Sequence, residues 1–137
     1  MGFWLLKADP GDYGYGHLER ERKAVWDGVS NNLALKHIRA TRKGDLALIY
    51  HTGGEKAVVG LAEIVSDPYV DPHGGSEWLL VFDVRPRRRF RRPVPLAAIR
   101  EDSRFEGLPL VRMPRLSVMP VPAPLWKRLF AMAGEKQ

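Results

Sequence analysis

The chain has 137 residues, 45% of them hydrophobic, which is enough to close one core and too apolar for a disordered polymer. It has no cysteine, which excludes disulfides, thiolate nucleophiles and the usual structural zinc sites, and no apolar run approaches membrane-spanning length. Twenty-two Lys and Arg stand against 16 Asp and Glu, a formal charge of +6 that fits either a polyanionic partner or a generally basic surface.

In chain order, "GFWLLK" (2–7) reads as a buried first strand. This opening is too short and too early-charged for a secretory signal, so a cytoplasmic chain (nuclear in a eukaryote) forming one domain over residues 1–137 is expected. "ADPGDYGYG" (8–16) is turn-rich, and "HLERERKAV" supports a short helix with its charges in water. Trp26 then precedes the turn pair Asp27-Gly28 and the polar run Ser30, Asn31, Asn32. Residues 31–45 read as a helix, capped by Ser30 or Asn31, apolar along Leu33, Leu35 and Ile38, and ended by Lys43-Gly44-Asp45. Strands follow at 45–52 and 57–67, joined by a Gly53-Gly54 turn, with Gly60 marking a bulge or a close backbone approach. A loop at 67–77 leads to a strand at 77–90 that runs into a basic segment. Residues 94–102 hold a helical turn, and the prolines of 108–122 point to an irregular or edge strand. Residues 123–134 form an amphipathic helix that packs Leu125, Trp126, Leu129 and Phe130. This order implies an α+β fold around a curved antiparallel sheet or a small barrel.

A ring beside a tight turn and a cluster of amide and hydroxyl groups suits a planar ligand whose edge those groups read. Flipped nucleobases are held in this way, by stacking and by hydrogen bonds to their edges. The same ring could instead pack a helix on the sheet. The rings available for such a pocket are Trp26, Trp78, Tyr50, Tyr13 and Tyr15, with Asp27, Ser30, Asn31 and Asn32 as edge groups. His51 ends its strand, where it serves either as a polar or phosphate contact or, beside Asp27 or Asp45, in acid–base chemistry. The four histidines show no metal-ligand spacing, so no metal or cofactor is expected. Lys7, at the end of the first strand, suits a phosphate, a base carbonyl or an ion pair. "RPRRRFRRP" places six arginines in residues 85–92 around Phe90, either a nucleic-acid footprint or a charged, aggregation-resistant edge. Lys36, Arg39, Arg42 and Lys43 add a second basic strip, and the two together favour nucleic acid.

The succession "FWLLKADP", "WDGVSNNLALKHIR", "KGDLALIYHTG", "VVGLAEIVSDPYVDP" and "RLSVMPVPAPLWKRL" resembles the EVE domains of the PUA-like superfamily over nearly the whole chain. The resemblance implies a PUA-like β-barrel of mixed or antiparallel strands flanked by helices, related to the YTH domains that read methylated adenine. EVE domains are regarded as non-catalytic readers of modified bases, mostly modified cytosine or adenine, so DNA or RNA carrying such a base is the implied partner. The implied base pocket comprises Lys7, Trp26, Ser30, Asn31, Tyr50, His51, Thr52 and, by analogy with a second cage ring, Trp78. Lys36, Arg39, Arg42, Lys43, Arg87, Arg88, Arg89 and Arg115 are the implied phosphate contacts, with Ser117 near the pocket mouth. Asp9 replaces the family's usual Glu, Ser30 its usual Arg and Thr52 its usual Ser. The competing expectation is a small enzyme of the related ASCH type, with Lys7, Asp27 and His51 as the reactive set.

Overall fold

The computed structural model describes all 137 residues. The chain runs β1 (Phe3–Ala8), α1 (Pro10–Tyr13), α2 (Tyr15–Glu21), β2 (Ala24–Trp26), α3 (Asn32–Ala40), β3 (Leu46–His51), β4 (Ala57–Ile64), β5 (Tyr69–Val70), β6 (Leu80–Pro95), α4 (Leu96–Glu101), a 3₁₀ turn (Ser103–Phe105), α5 (Pro109–Arg112), β7 (Val118–Pro120) and α6 (Ala123–Ala133). The strands lie in the order β2-β6-β4-β3-β1-β7, with β5 added beside β6. Only β1 and β3 are parallel, and the rest pair antiparallel, so the sheet is mixed. The parallel pair requires the long connection between them, since a hairpin cannot join parallel strands. The sheet curls into a half-barrel flanked by helices, and its end strands β2 and β7 pair with nothing on their outer edges.

Strands β1, β3 and β4 are nearly continuous apolar runs because both faces of the sheet are covered. Trp126 of α6 stacks on Phe3 at 4.5 Å between ring centroids, and Phe130 meets Phe90 edge-on at 5.4 Å. Phe90 is therefore a core residue on the inward face of β6, not an aromatic offered to a ligand among the arginines. At the far end of β3, the buried Asp45 carboxylate accepts from Trp4 Nε1 (2.9 Å), Gly2 N–H (2.8 Å) and Arg42 N–H (2.9 Å). It ties the start of β1 to the turn that ends α3.

Several expected boundaries move. The second helix starts earlier, at Tyr15, and ends at Glu21, which frees Ala24–Trp26 to become an edge strand. Helix α3 stops at Ala40 instead of reaching residue 45, because Arg42–Asp45 form a tight turn held by the Asp45 carboxylate. The 108–122 segment is a one-turn helix, α5, followed by the short edge strand β7. Pro86 is tolerated within β6 because the β4–β6 register shifts beside it, between Leu61 and Ala62.

Gly60 is both a bulge and a close approach. The β4–β6 register shifts between Val58 and Gly60, and a Cβ on Gly60 would lie 2.7 Å from the Tyr15 ring and 3.1 Å from the Arg88 carbonyl oxygen. Tyr15 is locked there, donating from its hydroxyl to the Leu61 carbonyl at 2.6 Å, and burial pushes its pKa up to about 12. Gly60→Ala should therefore lower the unfolding free energy by about 1–3 kcal/mol, the usual cost of overpacking. Urea unfolding reads this directly, and an unchanged midpoint would show that Tyr15 is free to move away.

Candidate nucleic-acid interface

The unpaired end of the sheet opens a cleft of about 740 Å³. One wall is β2 with the turn after it, residues 23–29, and the other is the end of β1 (Lys7, Ala8, Asp9) with Ser117. Asp12, Tyr13 and Glu21, from α1 and α2, close the side. The volume falls in the roughly 300–1,000 Å³ range of small-molecule sites. A second groove of about 600 Å³, lined by Phe3, Trp4, Leu108, Val121 and Leu125 among others, is almost wholly apolar and lacks the convergent polar groups of a recognition site.

Trp26 lines the cleft but is only 8% exposed, so the indole is a wall set into the core and not a free platform. Its indole N–H forms no hydrogen bond within the chain, and since no buried polar side-chain atom lacks a partner, that N–H reaches solvent. Tyr13 meets it edge-on, with centroids 6.4 Å apart and planes at 85°. Tyr13 is itself fixed: its other neighbour is His17, 5.3 Å away and nearly parallel, and its hydroxyl donates to Glu21 Oε1 at 2.5 Å. Burial and the Glu21 carboxylate hold the Tyr13 hydroxyl above the usual phenol range. Lys7 is half-buried, which lowers its pKa, and its Nζ donates to the Pro114 carbonyl at 2.6 Å. The turn after Trp26 depends on Gly28, whose φ of +78° suits glycine and re-aims the chain out of the strand.

The sign of the charge differs from that of the whole protein. Asp9, Asp12, Glu21 and Asp27 line the cleft against Lys7 and Lys23 only. Lys23 also faces Asp83, 3.6 Å away. The cleft therefore disfavours anionic groups and favours hydrogen-bond donors.

Of the expected pocket residues, the fold brings Lys7 and Trp26 together, with Ser117 beside them. The fold places the others outside this cleft. Asn31 is the N-cap of α3, its side-chain oxygen accepting from Ala34 N–H at 3.0 Å, and Ser30 is exposed beyond the cleft wall. Tyr50 is buried beneath Lys7, whose Nζ sits 5.9 Å from the ring centroid. His51 is a buried clamp: Nε2 accepts from Tyr15 N–H at 3.0 Å and Nδ1 donates to Glu55 at 2.7 Å. Its acid partner is thus Glu55, while Asp45 sits at the opposite end of β3. Thr52 is bound to the Ala8 carbonyl through its amide at 2.9 Å. Trp78 is 67% exposed in the turn between β5 and β6 and does not line the cleft, where the ring beside Trp26 is Tyr13, edge-on to it.

Four of the six arginines of β6 are already engaged, while the side chains of Arg91 and Arg92 form no ion pair. Arg85 and Arg87 share Glu63 at 2.7 and 2.8 Å, and Arg85 first, then Arg87, hold its carboxyl below the usual range. Arg88 pairs with Glu135 at 3.0 Å, and Arg89 pairs with Glu19 at 2.6 Å while lying 5.2 Å over the Tyr15 ring. As phosphate contacts, Arg87, Arg88 and Arg89 would have to leave these carboxylates. Arg42 is turned onto the end of α3, donating to the Arg39 and Thr41 carbonyls at 2.9 and 2.6 Å. Lys36, Arg39, Lys43 and Arg115 stay exposed and form no ion pair. Arg115 lines a shallow hollow with Asn31, Leu33, Met113, Pro114 and Leu116, separated from the cleft only by the 114–117 segment.

A family profile described as the EVE domain matches residues 2–132. The chain belongs to the EVE family. Among relatives of this EVE domain, human thymocyte nuclear protein 1 is 29% identical over 86% of this chain and 68% of its own. The structure of Rpa0253 from Rhodopseudomonas palustris superposes with a TM-score of 0.92 at 34% identity, covering 98% of this chain and 94% of that one. Human THYN1 protein in complex with 5-methylcytosine-containing DNA superposes with a TM-score of 0.87 at 21% identity, covering both chains fully at 100%. An ASCH protein from Zymomonas mobilis shares the fold at a TM-score of 0.61 and 12% identity, covering 95% of this chain and 94% of its own. The PUA-like fold implied by the sequence is the fold observed.

Sequence reasoning missed Asp12, Glu21, Lys23 and Val29. None carries a local signal, since each enters the cleft only because α1, α2 and β2 fold back across the end of β1.

Proposed function

We propose that this EVE domain binds DNA and admits one unstacked, methylated base of the cytosine or adenine type into the cleft, without performing chemistry on it. The observation that carries this reading is the indole of Trp26 set in the wall of an acidic cleft at the open end of the sheet. Cytosine and adenine both bring an exocyclic amine, and carboxylates are its natural acceptors. The base would lie along Trp26 and against the edge of Tyr13, with Lys7 and Ser117 facing it from the other wall. Flanking phosphates would meet Arg115 and the exposed cations of α3. The DNA-bound state of the human relative supports the choice of nucleic acid. The enzyme reading is weaker, because Lys7 is engaged with a backbone carbonyl and His51 stands outside the cleft as a structural clamp.

The test is a binding panel: 5-methylcytosine, N6-methyladenine and unmodified oligonucleotides, single- and double-stranded, at two salt concentrations. One methylated base should bind more tightly than its plain counterpart by roughly 10-fold to 200-fold, the discrimination one methyl-sized group allows. Affinity for every member should fall as salt rises, through counterion release. Equal affinity across the panel at both salt concentrations would remove this reading.

A further inference from the structure

The open side of β2 is a hydrogen-bonding surface that no side chain provides. Strand β2 ends the sheet and pairs only with β6, placing Val25 opposite Asp83. Both backbone groups of Asp83 are used on its other side: its carbonyl accepts from Val65 N–H at 2.8 Å, and its N–H donates to Ser66 Oγ at 2.9 Å. In an antiparallel ladder, residues facing each other across a pair that shares no hydrogen bonds turn their N–H and C=O groups away from one another. The amide and carbonyl of Val25 therefore point out of the sheet, side by side, along the edge that lines the cleft. Val25 is itself 48% exposed. On either side the chain leaves the extended conformation, with Arg22 at φ +67° and Gly28 at φ +78°.

From this geometry we infer that the Val25 peptide edge reads the inserted base, its carbonyl accepting from the exocyclic amine and its N–H donating to the neighbouring ring nitrogen. The inference rests on the base-binding function proposed above and names the group that specifies an amino-bearing base. An added peptide strand needs several outward residues in register. This edge offers one donor and one acceptor before the chain turns, which suits a single heterocycle. Trp26, the next residue, supplies the ring against which that heterocycle lies, so stacking and edge recognition come from adjacent positions of one short strand. Because the contacts are made by the backbone, the identity of side chain 25 is not what fixes them.

The experiment is a nuclear magnetic resonance titration of the isotope-labelled full chain with a short single-stranded DNA carrying one 5-methylcytosine, at low salt. The Val25 amide should exchange readily in the free protein, then shift and gain protection on DNA addition, together with the Trp26 indole N–H. The backbone amides of Ala24 and Trp26, bonded to β6, should be protected throughout. Val25→Pro removes only the outward donor, a change an edge strand tolerates, and should weaken binding of this DNA roughly tenfold or more. Val25→Ala, which keeps the outward amide, should weaken binding far less than Val25→Pro. If Val25→Pro fails to fold, protection of the wild-type amide decides the matter by itself. A Trp26 response with an unchanged Val25 amide overturns the inference and leaves the proposed function standing. Silence at both positions with this DNA and with its N6-methyladenine counterpart overturns the two together. Protection by an extended peptide and not by DNA would assign the edge to strand addition and overturn the inference as well.

Discussion

Replacing Trp26 with alanine should erase any preference for a methylated base and lower the unfolding free energy by about 3–5 kcal/mol. Both effects follow from one position. The indole is 8% exposed, so most of its surface packs against the interior, and its loss leaves a void that the surrounding sheet fills only in part. The remaining strip faces the cleft, where a stacked base gains about 1–3 kcal/mol. Trp26→Phe separates the two effects. It keeps a ring in the wall, should cost less than the alanine change because the void it leaves is smaller, and should retain part of the preference. Competition between methylated and plain oligonucleotides gives the preference, with urea unfolding run in parallel to confirm that each variant is folded. A Trp26→Ala protein that is folded and still distinguishes the two oligonucleotides would show that the base goes elsewhere.

The second large effect lies outside the cleft. Asp45→Ala should lower the unfolding free energy by about 3 kcal/mol, because it strands one buried donor at about 1–3 kcal/mol and weakens two partly buried ones. The buried donor is Trp4 Nε1, and the others are the amides of Gly2 and Arg42. Asp45→Asn should lose less, since an amide oxygen can still serve Trp4 and Arg42 while its NH₂ group faces the Gly2 amide. Urea titration should show a lower midpoint with an unchanged slope for both variants, and alanine should be the worse. Equal losses for the two would mean that charge, not acceptor geometry, is what this position supplies.

How far the fold was legible depended on how much of each element's signal was local. Strands β3 and β4 and helix α6 could be read from apolar runs and period alone, because "LALIYH", "AVVGLAEI" and "APLWKRLFAMA" each carry their own pattern. Strand β2 could not, since three residues between a helix and a turn have no period to show. The end of α3 was misjudged because Arg42 and Lys43 are good helix formers, while the carboxylate that stops the helix makes its bonds only once β1 is in place. In the cleft, "VWDGVSNN" was informative because an Asp-Gly turn after a ring fixes where the ring ends up. His51 misled for the opposite reason. A histidine at a strand end looks available, and nothing within ten residues reveals that the amide of Tyr15 occupies its ring nitrogen. The arginine cluster looked like a phosphate clamp because its counterions, Glu19, Glu63 and Glu135, are scattered through the chain.

The curled sheet that fails to close has a consequence for divergence. A three-residue edge, one turn and two short helices surround the cleft, whereas the 36 residues of the packed interior lie mostly elsewhere. Lineages can exchange rim residues such as Asp9, Asp12 or Asp27 one at a time without repacking what lies beneath. A scaffold arranged in this way can hold its shape over long descent while its taste in ligands drifts.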